Sequence, residues 1–202
     1  MSDVAIIDNG GANIASLRYA LERLGCSSHL TADPAELRAA RRVILPGVGA
    51  AADAMARLRT LGLAELIPQL TQPVLGICLG MQLLFASSEE GEDGEDTQCL
   101  GIIDERVARF PRRGEFPVPH MGWNQLRIVT PSPLLAGIRD GDYVYFVHSY
   151  CAPPGSWTVA ATDYGGEFSS VVRRGNFLGV QFHPERSASV GARVLANFLE
   201  LR

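Results

Sequence analysis

Gly76-Ile77-Cys78-Leu79-Gly80 is the sharpest chemical signal in the sequence. It closes an apolar run, Pro73 to Ile77, and opens a helical pattern. A G-x-nucleophile-x-G turn is tight, and its glycines let backbone segments approach closely. Cys78 would then project at the carboxyl end of a sheet, where α/β folds place their sites. The helix N-terminus beyond it would supply N–H donors and a partial positive charge. Both favour a thiolate and a developing oxyanion. Cysteine is also among the most buried residue types, so the motif alone fits a packed strand end equally well.

A cysteine nucleophile needs a base, and the chain has four histidines: His29, His120, His148 and His183. His183 sits in Gln181-Phe182-His183-Pro184-Glu185, just after the apolar run Phe177 to Val180. Pro184 blocks continuation of the strand, which places His183 and Glu185 on a strand-end turn. Side chains two apart in an extended segment point the same way. Glu185 could therefore accept one ring N–H of His183 and leave the other nitrogen for Cys78. The bland alternative is an incidental ion pair. A zinc-deaminase H-x-E is set aside because no P-C-x-x-C follows. His29, in a short polar-flanked strand, reads as structural or exposed. Leu45-Pro46-Gly47-Val48-Gly49 is a second glycine-rich strand end. It lacks the third glycine of a dinucleotide fingerprint. It is either a plain turn or a loop offering backbone N–H groups to an anion.

The elements that must position these residues follow from the hydrophobic period. Val4-Ala5-Ile6-Ile7 is continuously apolar, as a strand covered on both faces should be. Ile14, Leu17, Leu21 and Leu24 then repeat at helical steps, and Gly25 stops the helix. A second strand at Val43–Leu45 precedes a helical stretch from Ala51 to Leu70, interrupted near Gly62 and Pro68. The third strand, ending at Ile77, leads into a helix expected from Leu79 to Ala86. Strand–helix alternation implies parallel βαβ units. Segments 105–110, 121–129, 142–151, 157–162, 168–172 and 176–182 are rich in Val, Tyr, Phe and Ile and read as strands, some antiparallel. A closing helix is expected from Ser189 to Leu201. The acidic stretch at 89–96, with six acids in eight positions, reads as a solvated loop.

Length and charge narrow the classes. The 202 residues suit a single domain, 1–202, with a core large enough to need neither disulfides nor metals. The net charge of −4 disfavours nucleic-acid binding. All 18 basic residues are arginine, which excludes a Schiff-base or P-loop lysine. Cys26, Cys78, Cys99 and Cys151 form no CxxC. No leader pattern and no run approaching ~18 apolar residues is visible, so a cytoplasmic, reducing location is expected.

Taken jointly, GICLGMQ, QFHPE and PGVG one strand earlier resemble the class I (triad) glutamine amidotransferases. Order, strand context and length all match. Within that family, DNGGANIASL, PHMGWN and YFVHSY look like the branch that serves an imidazole glycerol phosphate synthase cyclase in histidine synthesis. The resemblance implies a flavodoxin-like α/β fold, a mostly parallel sheet flanked by helices with added antiparallel strands. It implies Cys78 as nucleophile, His183 as proton shuttle and Glu185 as its orienter. The oxyanion would be held by the N–H of Leu79 and by one from the Gly47-Val48-Gly49 loop. Gln82, Glu90, His148, Ser149 and Tyr150 would line the glutamine pocket. Asn13, Ser16, His120, Met121, Gly122, Trp123, Asn124, Tyr145 and Arg186 would face the partner. That partner is expected to be a (βα)8-barrel cyclase in a heterodimer, with no cofactor and no metal. Arg186 stands where a lysine is common in the family, and the two differ in geometry and hydration. Cys99 stands where a small buried residue is expected. Competing readings are an amidotransferase for another acceptor (GMP, anthranilate, aminodeoxychorismate or pyridoxal phosphate synthesis), a dienelactone-hydrolase-like cysteine enzyme, and a non-catalytic scaffold. PHMGWN and PGVG oppose the first, the histidine–acid order opposes the second, and the complete triad opposes the third.

Overall fold

A computed structural model describes residues 4–10, 14–91, 95–111, 114 and 116–201. The first half alternates strands and helices. It runs β1 (Val4–Ile7), α1 (Ile14–Arg23), β2 (Ser28–Thr31), α2 (Pro34–Ala39), β3 (Val43–Leu45), α3 (Ala51–Thr60), α4 (Leu63–Leu66) and β4 (Val74–Ile77). After β4 come α5 (Leu79–Gln82), β5 (Phe85–Ser88), β6 (Thr97–Gln98) and β7 (Ile103–Arg109). The second half is mostly strand: β8 (His120–Gln125), β9 (Arg127–Ile128), β10 (Tyr143–His148), β11 (Tyr150–Cys151), β12 (Thr158–Asp163), β13 (Glu167–Arg174) and β14 (Phe177–Val180). Helix α6 (Ala188–Glu200) follows.

The main sheet has the order β2-β1-β3-β4-β14-β13-β12-β9. It is parallel from β2 to β14 and antiparallel beyond. The alternation of side chains along β1 explains its two-sided burial. Val4 and Ile6 join the cluster under α1 and α6, with Leu17, Leu21, Leu195 and Phe198. Ala5 and Ile7 join the opposite cluster under α2 and α3, with Leu37, Met55 and Leu58. This is the period of two expected of a strand. Two smaller sheets, β10-β8 and β11-β7-β5-β6, stand beside the main one.

The expected helix from Leu79 to Ala86 is shorter than the spacing suggests. Helix α5 stops at Gln82, and Phe85–Ser88 is a strand. Phe85 pairs in parallel with Ile103 of β7, and the Leu84 carbonyl accepts the N–H groups of Ile102 and Ile103. Tertiary pairing overrides local propensity there. Helix α2 has no counterpart in the sequence reading, although its signal is present. Pro34 occupies its first turn, and Asp33 caps it by accepting the Ala35 N–H at 2.7 Å. Among the described residues no helix is long and apolar enough to cross a membrane.

Candidate active site

Strands β4 and β14 are hydrogen-bonded neighbours, with Ile77 opposite Val180. The residues that follow them therefore leave the sheet side by side. Cys78 donates its N–H to the Val180 carbonyl at 2.8 Å and then turns sharply, with φ 55° and ψ −112°. A positive φ is uncommon for a non-glycine residue and costs conformational energy that the surroundings must supply. Two glycines make the turn possible. A Cβ at Gly80 would lie 1.9 Å from the Leu45 carbonyl oxygen, and one at Gly76 would lie 2.6 Å from that of Gly80. The start of α5 thus lies directly on the strand ends.

Glu185 Oε1 sits 2.8 Å from His183 Nδ1, so the ring donates there and keeps Nε2 for the Cys78 side. Burial by itself disfavours the His183 imidazolium. The hydrogen bonds and charges of Cys78 and Glu185 prevail over it and push the ring up to about 10. The backbone is held as well. His183 donates its N–H to the Tyr145 carbonyl at 3.0 Å. Ser187 donates to the His183 carbonyl at 2.7 Å and accepts the Tyr145 N–H at 2.9 Å. Buried Ser187 therefore ties β10 to the His183 turn.

Cys78 opens into a cavity of about 310 Å³. Val48, Gly49 and Leu79 line it, as do Gln82, Glu90, His148, Ser149, Tyr150 and His183. These residues come from five separate stretches of chain. Glu90 accepts the Ala51 N–H at 3.0 Å. Burial raises its pKa, and the Ala51 N–H and Arg109 oppose that rise. Gln82 is committed to the wall, because its Nε2 donates to the Tyr150 carbonyl at 2.8 Å and to Gln181 Oε1 at 2.9 Å. A second cavity, about 180 Å³, shares Val48, Val147 and His183 with the first and reaches Leu17 and Arg186. Gly47 borders this second cavity.

The residues expected to face a partner separate into groups. Met121 and Trp123 on β8 are 63% and 53% exposed. Trp123 meets Tyr145 edge-on at 5.9 Å, and the Arg186 guanidinium lies 4.3 Å from the Tyr145 ring centre. Gly122 and Asn124 are half-buried on the same strand, and Ser16 is half-buried on α1. His120 is 3% exposed, beneath this surface instead of on it. Asn13 lies outside the described residues. His29 is half-buried and 3.5 Å from Glu36. Cys99 is half-buried. Two contributors carry no role in the sequence reading, Ser187 and Gln181. Gln181 donates to Cys78 Sγ at 3.8 Å. It lies just past the end of β14, while Glu185 reaches the ring from the 3-10 turn Pro184–Arg186 and not from the extended segment the sequence suggests.

The model of the family described as "Glutamine amidotransferase class-I" matches residues 5–201. The imidazole glycerol phosphate synthase subunit HisH of Xanthomonas axonopodis pv. citri is 55% identical over 201 residues, which is all of this chain and 98% of that protein. The protein of the same description from Shewanella oneidensis is 52% identical over 213 residues, 99% of this chain and 96% of that one. Among solved structures, PurLQS from Thermotoga maritima superposes with a TM-score of 0.72 at 21% identity, covering 98% of each chain. That last likeness speaks to fold.

Proposed function

The chain belongs to the class I glutamine amidotransferase family, and we propose that it hydrolyses glutamine as the ammonia-producing subunit of an imidazole glycerol phosphate synthase in histidine biosynthesis. The observation that carries the reading is the convergence of Cys78, the His183–Glu185 pair and the Gly47–Gly49 loop at two cavities that share Val48, Val147 and His183.

The chemistry follows from the geometry. Cys78 Sγ attacks the side-chain carbonyl carbon of glutamine with its proton already held on His183. The Leu79 N–H, at the first turn of α5, and an N–H of the Gly47-Val48-Gly49 loop receive the oxyanion. Collapse expels ammonia, protonated by His183, and leaves a γ-glutamyl thioester. His183 then takes a proton from water as the water oxygen bonds to the thioester carbonyl carbon. The C–S bond breaks, glutamate leaves, and Cys78 is restored with its proton on His183. Glu185 holds the ring orientation throughout. Glu90, with Ser149 and Tyr150, faces the amino-acid end of the substrate.

Ammonia released into bulk water is lost to protonation and diffusion. The second cavity offers a route away from the glutamine pocket, past His183 toward Leu17 and Arg186. The partner subunit is a (βα)8-barrel cyclase, docked on Met121, Trp123, Tyr145 and Arg186 as a heterodimer. It combines the ammonia with its own substrate to give imidazole glycerol phosphate and AICAR. Large amphipathic residues with a cation stacked on them suit such a contact.

The test is glutamate release from glutamine with and without the cyclase subunit and its ligand, using Cys78→Ala as the blank. The expected result is low activity alone, a large rise in the liganded complex, and at least about a thousandfold loss in the variant. A folded, partner-bound chain with no turnover in any condition would refute the reading.

A further inference from the structure

His148 lines the Cys78 cavity, yet both its ring nitrogens are committed elsewhere. Nδ1 is 2.8 Å from the Tyr150 carbonyl oxygen, and Nε2 is 3.1 Å from Nδ1 of His120. His120 Nε2 is in turn 3.4 Å from Nδ2 of Asn124. A carbonyl only accepts, so His148 carries its proton on Nδ1. Its neutral ring then accepts at Nε2, which requires His120 to donate from Nδ1 and to accept at its own Nε2. Asn124 supplies that last donor. Its amide orientation is fixed independently, because Oδ1 accepts the Gln125 N–H at 2.8 Å and Nδ2 donates to the Asp163 carbonyl at 2.9 Å. The donors point one way from Asn124 to Tyr150: reversing His148 sets a lone pair against the Tyr150 carbonyl, and reversing His120 alone sets lone pair against lone pair at His148 and N–H against N–H at Asn124.

The surroundings favour this single arrangement. His120 is stacked between Phe146 at 4.8 Å and Tyr164 at 3.9 Å. Burial keeps both rings neutral, holding His120 at about 4 and His148 at about 3. The far end of the chain meets the nucleophile's own helix, since the Tyr150 carbonyl also accepts Gln82 Nε2. Gln82 is the last residue of α5, which begins at Leu79.

We propose that His120 is a positioning residue for glutamine binding, fixing the Tyr150 wall of the pocket through a one-directional hydrogen-bond strut that starts at Asn124 beside the partner-facing Trp123. This rests on the cavity being the glutamine pocket. The strut is a fixed spacer: it has one allowed proton arrangement, and its role is to keep Tyr150 and Gln82 in place while substrate enters.

Two measurements on the full chain test it. With only four histidines, ¹⁵N-histidine labelling and long-range proton–nitrogen correlation assign each tautomer. His120 and His148 should both carry the proton on Nδ1 at neutral pH. A ring found as Nε2–H, or doubly protonated, overturns the strut whatever the enzyme's substrate. The second measurement uses the complex with the cyclase subunit. His120→Phe keeps the ring packing and removes both nitrogens, and it should raise KM for glutamine about five- to tenfold with kcat within twofold. His120→Asn keeps a donor near the Nδ1 position while losing the packing, and it should raise KM less. The reverse order would make His120 a packing residue and overturn the proposal. Absence of glutamine turnover in the wild-type complex would sink the pocket reading, and with it the KM claim, without touching the tautomer result.

Discussion

Glu90 Oε2 accepts the N–H of Ala51, so the carboxylate that faces the Cys78 cavity also closes the first turn of α3. That helix begins two residues beyond Gly49. One side chain therefore lines the Cys78 cavity and holds the helix start that follows the loop expected to bind the oxyanion. Glu90→Gln keeps an acceptor for Ala51 but removes the charge that would pair with the ammonium of glutamine. It should raise KM at least tenfold with little loss of stability. Glu90→Ala should add a stability cost of about 0.5–2 kcal/mol, the size of a lost helix cap. Steady-state kinetics with urea denaturation separates the two effects, and equal stability of both variants would contradict the dual role.

The glycines of the PGVG loop differ in what they permit. A Cβ at Gly47 would lie 2.6 Å from the Gly80 N and 2.8 Å from the Leu79 Cβ, so backbone must move. Gly49 has φ +89°, and a Cβ there would meet nothing within 4 Å. Substitution at Gly49 therefore meets only the backbone preference, about 1–2 kcal/mol. Gly47→Ala should lose folding stability and turnover together. Gly49→Ala should fold and lose activity mainly through the loop. Denaturation midpoints beside glutamine turnover decide this, and a fully active Gly47→Ala would contradict the close approach.

Trp123 is half exposed and touches Tyr145 by its edge. Trp123→Ala should cost about 0.5–1.5 kcal/mol of stability, the worth of an aromatic pair. Its effect on the complex should be larger, about 2 kcal/mol or a thirtyfold weaker Kd, as for an aromatic anchor at an interface. Titration calorimetry against the cyclase subunit and a melting curve measure both. A large fall in Tm with unchanged Kd would make Trp123 a packing residue only.

The His183 ring, pushed from its usual 6.5 to about 10, has a defined stability signature. A raised histidine pKa stabilises the fold fully below the unfolded value and loses that contribution as pH rises through the folded one. The window is about 6.5 to 10. Glu185→Gln removes one charged partner, so the gap in denaturation midpoint between wild type and variant should be widest near pH 6.5. It should narrow steadily toward pH 10. A gap independent of pH would show that the ring is not held as an imidazolium.

Much of this architecture is legible in the sequence because it is local. Continuous apolar runs mark β1, β3 and β4, and glycine or proline marks their ends. The pairing of Glu185 with His183 is expected from strand alternation, but the structure makes it across the 3-10 turn Pro184–Arg186 instead. What sequence alone leaves hidden is set by contacts between distant segments. Phe85 becomes strand because Ile103 is there to pair with it. His120 sits in the motif expected to face a partner, yet its side chain turns inward onto Phe146 and Tyr164 while Met121 and Trp123 turn outward. Period two along β8 allows either face, and the aromatic cluster of Phe110, Phe146, Tyr164 and Phe168 around His120 selects one. Ser187 acts through two backbone groups, Tyr145 N–H and His183 C=O, that no local pattern connects.

The seat of β14 between β4 and β13 has a consequence for the growing chain. Synthesis delivers this central strand after every other strand of the sheet. Until then β4 has an open edge, and Cys78 has no neighbour carrying His183. The site is therefore complete only when the middle of the sheet is filled.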